Sequence, residues 1–285
     1  MMQHIIVCPF NQGLIDRLHS RQLVIQDNNC DRIHDITRVG NRQNRIHSIF
    51  LNLREPFGAV PFHESWKGIP LNISCPEMGF FKDVAKKLPL IKQLKLRVFL
   101  SSDHKNTYTQ LRILSSLGIP CGIMFGELPV HWEALNDLMV YSVYGKAKHA
   151  SIEPFQYIIS HYRSVGRTDF SSVYFDNPMQ FLHCSAEGKI ALSAKDLAAG
   201  NFISENIDDL DRIQELPAFA ERKNEWQKFF LKNSICASCP GWRVCLGKYA
   251  VQAETDPGCK QFYADTMDAA DFYRMKNEKE QEVWR

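Results

Sequence analysis

The sequence contains no long hydrophobic run, and its start includes no basic segment of the kind that opens a secretory signal. A membrane-spanning helix needs roughly 18 consecutive apolar residues. The apolar run at residues 5–10 is also too short for the core of a signal peptide. We therefore expect a cytoplasmic protein that does not enter a membrane.

The chain has no excess of charge of one sign. It has 34 Lys and Arg residues against 32 Asp and Glu residues, which gives a formal net charge of +2. This balance excludes a strongly basic chain and argues against nucleic acid as the partner. A hydrophobic share of 45% excludes an intrinsically disordered chain. Arginines between residues 32 and 54 form a local basic stretch, which we interpret as a solvated surface, with a peptide- or RNA-contacting face as the alternative.

Several catalytic signatures are also missing. The chain has no G-x-x-x-x-G-K-[ST], G-x-G-x-x-G or H-E-x-x-H motif, and so gives no support for a nucleotide-binding loop or a zincin site. Glu127 and Glu153 each follow a predicted strand, where α/β folds place their sites. An acid–base pair is one interpretation, but a rim salt bridge or a helix-start charge is favoured. Residues 101–104 are interpreted as helix capping, and His183 as a packed or hydrogen-bonded side chain.

The middle third of the chain gives the clearest fold signal. A strand pattern at 94–101 precedes a helical stripe of leucines at 106–117, which Gly118 ends before an apolar strand at 119–125. This is a βαβ unit, which requires parallel strands. Similar alternation occurs on both sides, while no element is predicted for residues 27–45. The predicted fold is an α/β body with a partial (β/α) barrel-like sheet.

The pattern changes near residue 178. Beyond it come a hairpin pattern around Glu187-Gly188 and two predicted helices on either side of a cysteine cluster. We therefore predict an α/β body at residues 1–178 and a small C-terminal domain at residues 179–285.

Cysteine usage indicates metal binding. The count is nine, an odd number in a chain expected in a reducing compartment, which argues against a disulfide framework. Four of them follow a C-x2-C-x5-C-x13-C pattern: Cys236, Cys239, Cys245 and Cys259. Four thiolates suit tetrahedral zinc or a cubane iron–sulfur cluster, and spacing alone does not separate the two. A redox C-x-x-C pair and a chance grouping of buried cysteines are the weaker interpretations.

Residues 184–259 resemble the SPASM region of radical SAM peptide-maturing enzymes. The shared features are the Cys184-x-x-x-Gly188 hairpin, the Gly200-Asn201 step, an acidic stretch before a helix, and the C-x2-C-x5-C run. The resemblance implies that the four clustered cysteines hold one 4Fe–4S cluster, with zinc as the alternative. The family's second auxiliary cluster uses a cysteine where this chain has Tyr249. We therefore expect that second cluster to be lost and Cys184 to be a buried thiol.

The resemblance does not extend to the SAM-cleaving cluster. Radical SAM enzymes bind that cluster through C-x3-C-x2-C after the first barrel strand, whereas Cys8, Cys30, Cys75 and Cys121 are widely separated here. We expect a degenerate relative that does not cleave SAM by itself. We also expect these four cysteines and Cys184 to be neither metal ligands nor disulfide partners.

The resemblance further implies an accessory role in ribosomal-peptide (RiPP) maturation. Cluster-less relatives accompany such pathways, some of them paired with ATP-grasp peptide ligases. The expected partner is a precursor peptide or its modifying enzyme, bound where the strand ends at residues 125–127 and 152–154 face the C-terminal domain. One alternative is an enzyme that uses the strand-end carboxylates or an open cluster iron. The other is a zinc-ribbon interaction module.

Overall fold

The computed structural model describes residues 4–41, 46–126, 128–163, 168–232, 236, 238–246 and 258–283. The strands are β1 Ile5–Pro9, β2 Leu23–Asp27, β3 Ile46–Asn52, β4 Leu71–Cys75, β5 Leu96–Ser101, β6 Cys121–Met124, β7 Ile152–Glu153, β8 Phe181–Cys184 and β9 Ile190–Ala191. The helices are α1 Gln12–Arg17, α2 Ile33–Asn41, α3 Phe81–Ile91, α4 Thr107–Ser116, α5 Trp132–Tyr144, α6 Phe155–His161, α7 Ala194–Ala198, α8 Pro217–Lys232, α9 Trp242–Cys245 and α10 Gly258–Val283. None of the helices in the described ranges is both long enough and apolar enough to cross a membrane.

The strands form one sheet in the order β7-β6-β5-β4-β3-β2-β1-β8-β9. All neighbours run parallel except β8 and β9. Strands β1 to β7 thus lie side by side in chain order, and right-handed crossovers place the connecting helices on one face. On that face Ile49 and Ile123 of the sheet share a buried cluster with Leu111 and Leu135 of the helices. The α/β prediction is confirmed, and the strand order is compatible with a partial barrel-like body.

The βαβ unit predicted in the middle of the chain is confirmed. β5 and β6 pair in parallel, with Val98 beside Cys121, and α4 connects them with Leu111 and Leu114 fully buried. Gly118 follows α4 with a φ of +81°, a left-handed conformation that glycine adopts at little cost because it has no Cβ. The helical spacing of the leucines is therefore what directs α4 onto the sheet.

The predicted hairpin around Glu187-Gly188 is also confirmed. β8 and β9 pair antiparallel, with His183 opposite Ala191. In addition, β8 pairs in parallel with β1, so the hairpin extends the main sheet. The sheet therefore continues across residue 178 and includes strands from both predicted domains. The division into two domains stays a prediction.

Residues 27–45, for which the sequence predicts no element, contain α2. Ile33, Ile36 and Val39 are buried on one side of this helix. Their spacing is helical, but polar and basic residues outnumber them along the segment and obscure the pattern.

The arginine stretch makes ion pairs within its own surface. Arg32 lies 3.1 Å from Asp27 and Arg38 lies 3.2 Å from Asp35. Arg42 and Arg45 lie outside the described residues. Local pairing favours the solvated-surface interpretation over a nucleic-acid face, because paired charges attract phosphate less strongly.

Five cysteines lie apart from the four-cysteine cluster. Cys8, Cys75, Cys121 and Cys184 are buried and Cys30 is partly exposed. These five, all in the described part of the chain, form no disulfide. Burial raises the pKa of the Cys75 and Cys184 thiols to about 12. The buried thiols therefore stay protonated at neutral pH and act as small apolar side chains.

Candidate functional site

The sheet face opposite the helices, the inner face, is filled by aromatic side chains of the protein itself. Phe50 and Phe99 project from β3 and β5, and the turn at residues 170–175 lies over them. The Tyr174 ring centroid lies 5.7 Å from that of Phe99, and the Phe175 ring meets that of Phe50 edge-on at 6.1 Å. Such geometries are favourable for aromatic pairs. The middle of the inner face is therefore packed, and two pockets lie at its opposite ends.

His183 holds the turn at residues 170–175, which we call the aromatic cover, against the sheet. Its Nε2 lies 3.1 Å from the backbone oxygen of Phe175 and 3.1 Å from Oδ1 of Asp176. The imidazole side chain is only 3% exposed. The prediction that His183 is packed and hydrogen-bonded is confirmed.

Glu153 is an ion-paired, helix-start carboxylate. Its Oε1 lies 3.3 Å from the Arg97 guanidinium, and its Oε2 accepts a hydrogen bond from the backbone N–H of Tyr157 at 2.9 Å. Burial raises the pKa of this carboxyl group, while Arg97 and the Tyr157 hydrogen bond oppose the rise. The favoured interpretation of Glu153 is therefore confirmed. Glu127, its predicted neighbour at the strand ends, lies outside the described residues.

The prediction that residues 101–104 cap α4 is wrong for Ser102 and Asp103. The Ser102 hydroxyl oxygen accepts from the backbone N–H of Gly126 at 2.9 Å, and Asp103 Oδ1 accepts from that of Leu128 at 3.3 Å. A Cβ at Gly126 would collide with the Asp103 carboxylate, so glycine is required for this approach. These side chains position the loop after β6, because the strand order brings the two loops together.

A pocket of 370 Å³ opens at the carboxyl-terminal ends of β1, β2 and β3. Three carboxamide side chains line it, those of Gln26, Asn28 and Asn52. A carboxamide donates and accepts hydrogen bonds at once, as a peptide bond does. The pocket therefore presents groups that match an extended peptide backbone. No sequence motif marks these three residues as a site, because Asn52 is distant along the chain from Gln26 and Asn28.

One wall of this pocket is held by Asp27 and Arg32. Asp27 Oδ1 accepts from the backbone N–H groups of Asn28 and Asn29 at 2.8 and 3.0 Å, and its Oδ2 lies 3.1 Å from the Arg32 guanidinium. That guanidinium lies 4.6 Å from the centroid of the Phe10 ring. The loop is thus ordered before any ligand binds, which lowers the entropic cost of recognition.

Large apolar side chains are exposed at the same end of the sheet. Phe80 directly precedes α3 and is 76% exposed, Phe81 is the first residue of α3 and is 53% exposed, and Leu128, after β6, is 58% exposed. Phe80 and Phe81 are adjacent in the chain, and contiguous exposed apolar side chains are typical of interaction sites. We call the carboxamide pocket and these three side chains the carboxyl-end surface.

Local turns bring the first two clustered cysteines together. The backbone N–H of Cys239 donates to the Cys236 oxygen at 3.1 Å, and that of Trp242 donates to the Cys239 oxygen at 3.2 Å. Both thiols are buried, and Trp242 packs on Cys236. Burial, and then the charge of neighbouring Cys239, raises the pKa of the Cys236 thiol. The two sulfur-bearing side chains are therefore close enough to interact.

Cys245 and Cys259 come from neighbouring elements. Cys245 ends α9, and Cys259 lies in the first turn of α10, where it belongs to the main buried cluster. Within the described residues, no three His, Cys, Asp or Glu side chains form a group that could hold a metal ion. The donor chemistry fits a thiophilic metal, and the four-cysteine centre stays a prediction. Tyr249 lies outside the described residues.

No protein-family model matches the chain, and no curated protein matches its sequence. The likeness to the SPASM region thus rests on the residues of this chain alone, and the family assignment stays a prediction.

Proposed function

We propose that this is a non-catalytic accessory protein of ribosomal-peptide maturation. Its carboxyl-end surface binds a precursor peptide or the modifying enzyme that carries the peptide. The observation that supports this most directly is the carboxamide pocket with exposed Phe80 and Phe81 at the same end of the sheet. Carboxamides pair with backbone amides, and aromatic rings supply large apolar contacts. Residues 125–126 and 152–154, at the strand ends where we expect the partner, are at this same end.

A binding role, rather than catalysis, is supported by what the inner face contains. Phe50 and Phe99 occupy the middle of the face under the turn at residues 170–175. Of the two strand-end glutamates predicted from the sequence, Glu153 is described, and it is already engaged by Arg97. A general base needs a proton-accepting atom within reach of the substrate, and Glu153 is buried instead. The sequence also lacks the three-cysteine loop that SAM cleavage requires.

We further propose that Cys236, Cys239, Cys245 and Cys259 hold one structural metal centre, a 4Fe–4S cluster with zinc as the alternative. The turn that joins the first two thiols and the burial of three of the four side chains support a shared site. α9 has only four residues, which is too short to be stable without outside contacts. Metal binding supplies such contacts by joining α9 to the start of α10.

The peptide-binding proposal is tested with two variants of the carboxyl-end surface. Asn52→Ala removes a carboxamide and Phe80→Ala removes an exposed ring. Each is expected to weaken binding of the precursor peptide about fivefold or more, the loss of ~1 kcal/mol typical of an interface residue that matters. The labelled peptide is one encoded by a neighbouring gene. It is titrated with each variant, and fluorescence anisotropy measures the binding.

The matched control is Phe272→Ala, a ring of α10 that is 54% exposed. This variant is expected to bind the peptide as the unmodified protein does. Crosslinking from positions 80 and 128 should reach the peptide or its modifying enzyme. Crosslinks that form only from α10, or equal effects of Phe80→Ala and Phe272→Ala, would place the partner elsewhere.

The absence of the three-cysteine loop predicts that the isolated protein does not cleave SAM. Anaerobic incubation with SAM and a strong reductant is expected to yield no more 5′-deoxyadenosine than a metal-free control, because no cluster iron is left open for SAM. Chromatography of the products measures this. Turnover above the control would contradict the non-catalytic assignment.

A further inference from the structure

A second pocket lies at the opposite, amino-terminal ends of the strands. It has a volume of 480 Å³ and opens where β3, β4 and β5 begin. Its size falls within the range of small-molecule sites. The lining combines polar and apolar side chains, among them Ser48, Pro70, Asn72, Lys95, Arg97 and Phe175. This amino-end pocket is separated from the carboxyl-end surface by the aromatic packing of the inner face.

The polar side of the amino-end pocket carries positive charge. Arg97 is 36% exposed although Glu153 contacts one of its nitrogens, and a guanidinium has five N–H donors. Lys95 is exposed at the rim. Burial lowers the pKa of His47, which also lines the pocket, so this imidazole is uncharged at neutral pH. Two cations against the single carboxylate of Glu153 leave one positive charge for a ligand.

Next to Arg97, a polar pair is already ordered on the sheet. The Asn72 side-chain amide donates to the Ser48 hydroxyl oxygen at 2.5 Å, and that hydroxyl donates to the Pro70 oxygen at 3.2 Å. Both side chains are buried. These hydrogen bonds fix the polar side chains of Ser48 and Asn72 beside the Arg97 guanidinium, so the site is formed without a ligand.

The apolar side of the amino-end pocket, its apolar wall, is formed by Phe175, whose backbone conformation is unfavourable. Phe175 has a φ of +58°, which is a genuine outlier for a bulky side chain. The hydrogen bond from His183 to its backbone oxygen, at 3.1 Å, helps to hold it there. Local backbone strain of this kind is concentrated at ligand-binding sites, where it fixes a side chain in the position that recognition needs.

We propose that the amino-end pocket binds a small organic acid. The carboxylate pairs with Arg97 and is attracted by Lys95, while an apolar body lies between Phe175 and Pro70. A guanidinium matches the two oxygens of a carboxylate in geometry as well as charge. The apolar wall selects against bare inorganic anions, because such anions gain nothing from contact with it.

Calorimetric titration of the full chain with three probes tests this proposal. Benzoate carries both the charge and the apolar body, acetate carries only the carboxylate, and benzamide has the same body without charge. We expect saturable binding of one benzoate, weaker binding of acetate, and none of benzamide. Arg97→Lys keeps a positive charge near Glu153 but loses the planar fork, and should weaken benzoate binding about tenfold. Lys95→Gln, an exposed change with little effect on folding, should weaken it about threefold.

Lys86→Gln provides the matched control, because Lys86 is an exposed lysine of α3 that does not line the pocket. Its affinity for benzoate is expected to be unchanged. Benzamide binding as tightly as benzoate would overturn the proposal, as would an unchanged affinity in Lys95→Gln. Inorganic phosphate binding at least as tightly as benzoate would overturn it as well, because the apolar wall would then contribute nothing.

Discussion

Replacing Cys239 by serine is expected to release the metal and to destabilise the C-terminal part of the chain. Cys239 is buried in the turn that follows Cys236, and a hydroxyl is a far poorer ligand for a soft metal than a thiolate. Structural zinc sites contribute apparent binding free energies of about 10–16 kcal/mol, so the loss of one ligand removes a large stabilising contribution. Iron, sulfide and zinc are measured after anaerobic purification, and unfolding is followed by heating.

Cys30→Ser is the matched control, because Cys30 is partly exposed and lies far along the chain from the cluster. It should retain full metal and the unmodified melting temperature. About four iron and four sulfide ions per chain would identify a 4Fe–4S cluster, and zinc alone would identify the alternative. Full metal content in Cys239→Ser would contradict the four-cysteine assignment.

Replacing Phe99 by alanine is expected to lower the free energy of unfolding by about 3–5 kcal/mol, the range for truncating a buried aromatic ring. Phe99 is fully buried and contacts the rings of Phe50 and Tyr174. The aromatic cover of the inner face would lose its central contact, leaving a cavity. Urea unfolding followed by circular dichroism measures the change as a shift of the midpoint.

Phe80→Ala serves as the control for this experiment, since Phe80 is 76% exposed. Exposed substitutions of this kind usually change stability by less than about 0.5 kcal/mol. A similar small change in Phe99→Ala would mean that the inner face is not packed as described. The inner face could then hold a substrate, and the non-catalytic assignment would have to be revised.

The parallel α/β body was predictable because its helices and strands carry strong local patterns. The leucines of α4 repeat at helical spacing, and the residues of β5 and β6 are apolar over short runs. Gly118 and Gly188 mark the ends of such patterns through positive φ values. Each of these signals is local, so a single sequence is sufficient to reveal it.

The aromatic cover was not predictable in the same way. Phe175 lies in a turn and meets Phe50 of β3, far away along the chain, and Phe181 of β8. Which side of the sheet the turn at residues 170–175 covers is decided by tertiary packing alone. The same holds for Ser102 and Asp103, whose composition suits helix capping but whose partners lie in the next loop.

The residues of the candidate sites likewise differ in whether the sequence alone predicts that they lie together. The four clustered cysteines are near one another in sequence, so their spacing alone predicts that they bind one metal centre together. Gln26 and Asn52 belong to different strands, and only the order β3-β2-β1 brings them to one pocket. Arg97 and Glu153 likewise meet from different strands, across β6. Pairings of this kind depend on register, which the sequence does not encode locally.

The two edges of the sheet end in strands of only two residues, β7 and β9. Pro154 follows β7 and has no N–H to offer to another chain, and Ile190 of β9 is covered by an antiparallel bridge to Ser204. Short, blocked edges resist the edge-to-edge addition that leads to aggregation and fibril growth. The two edge strands that the structure describes therefore offer few backbone hydrogen-bond partners to an added strand. The peptide recognition that we propose therefore relies on the side chains at the strand ends.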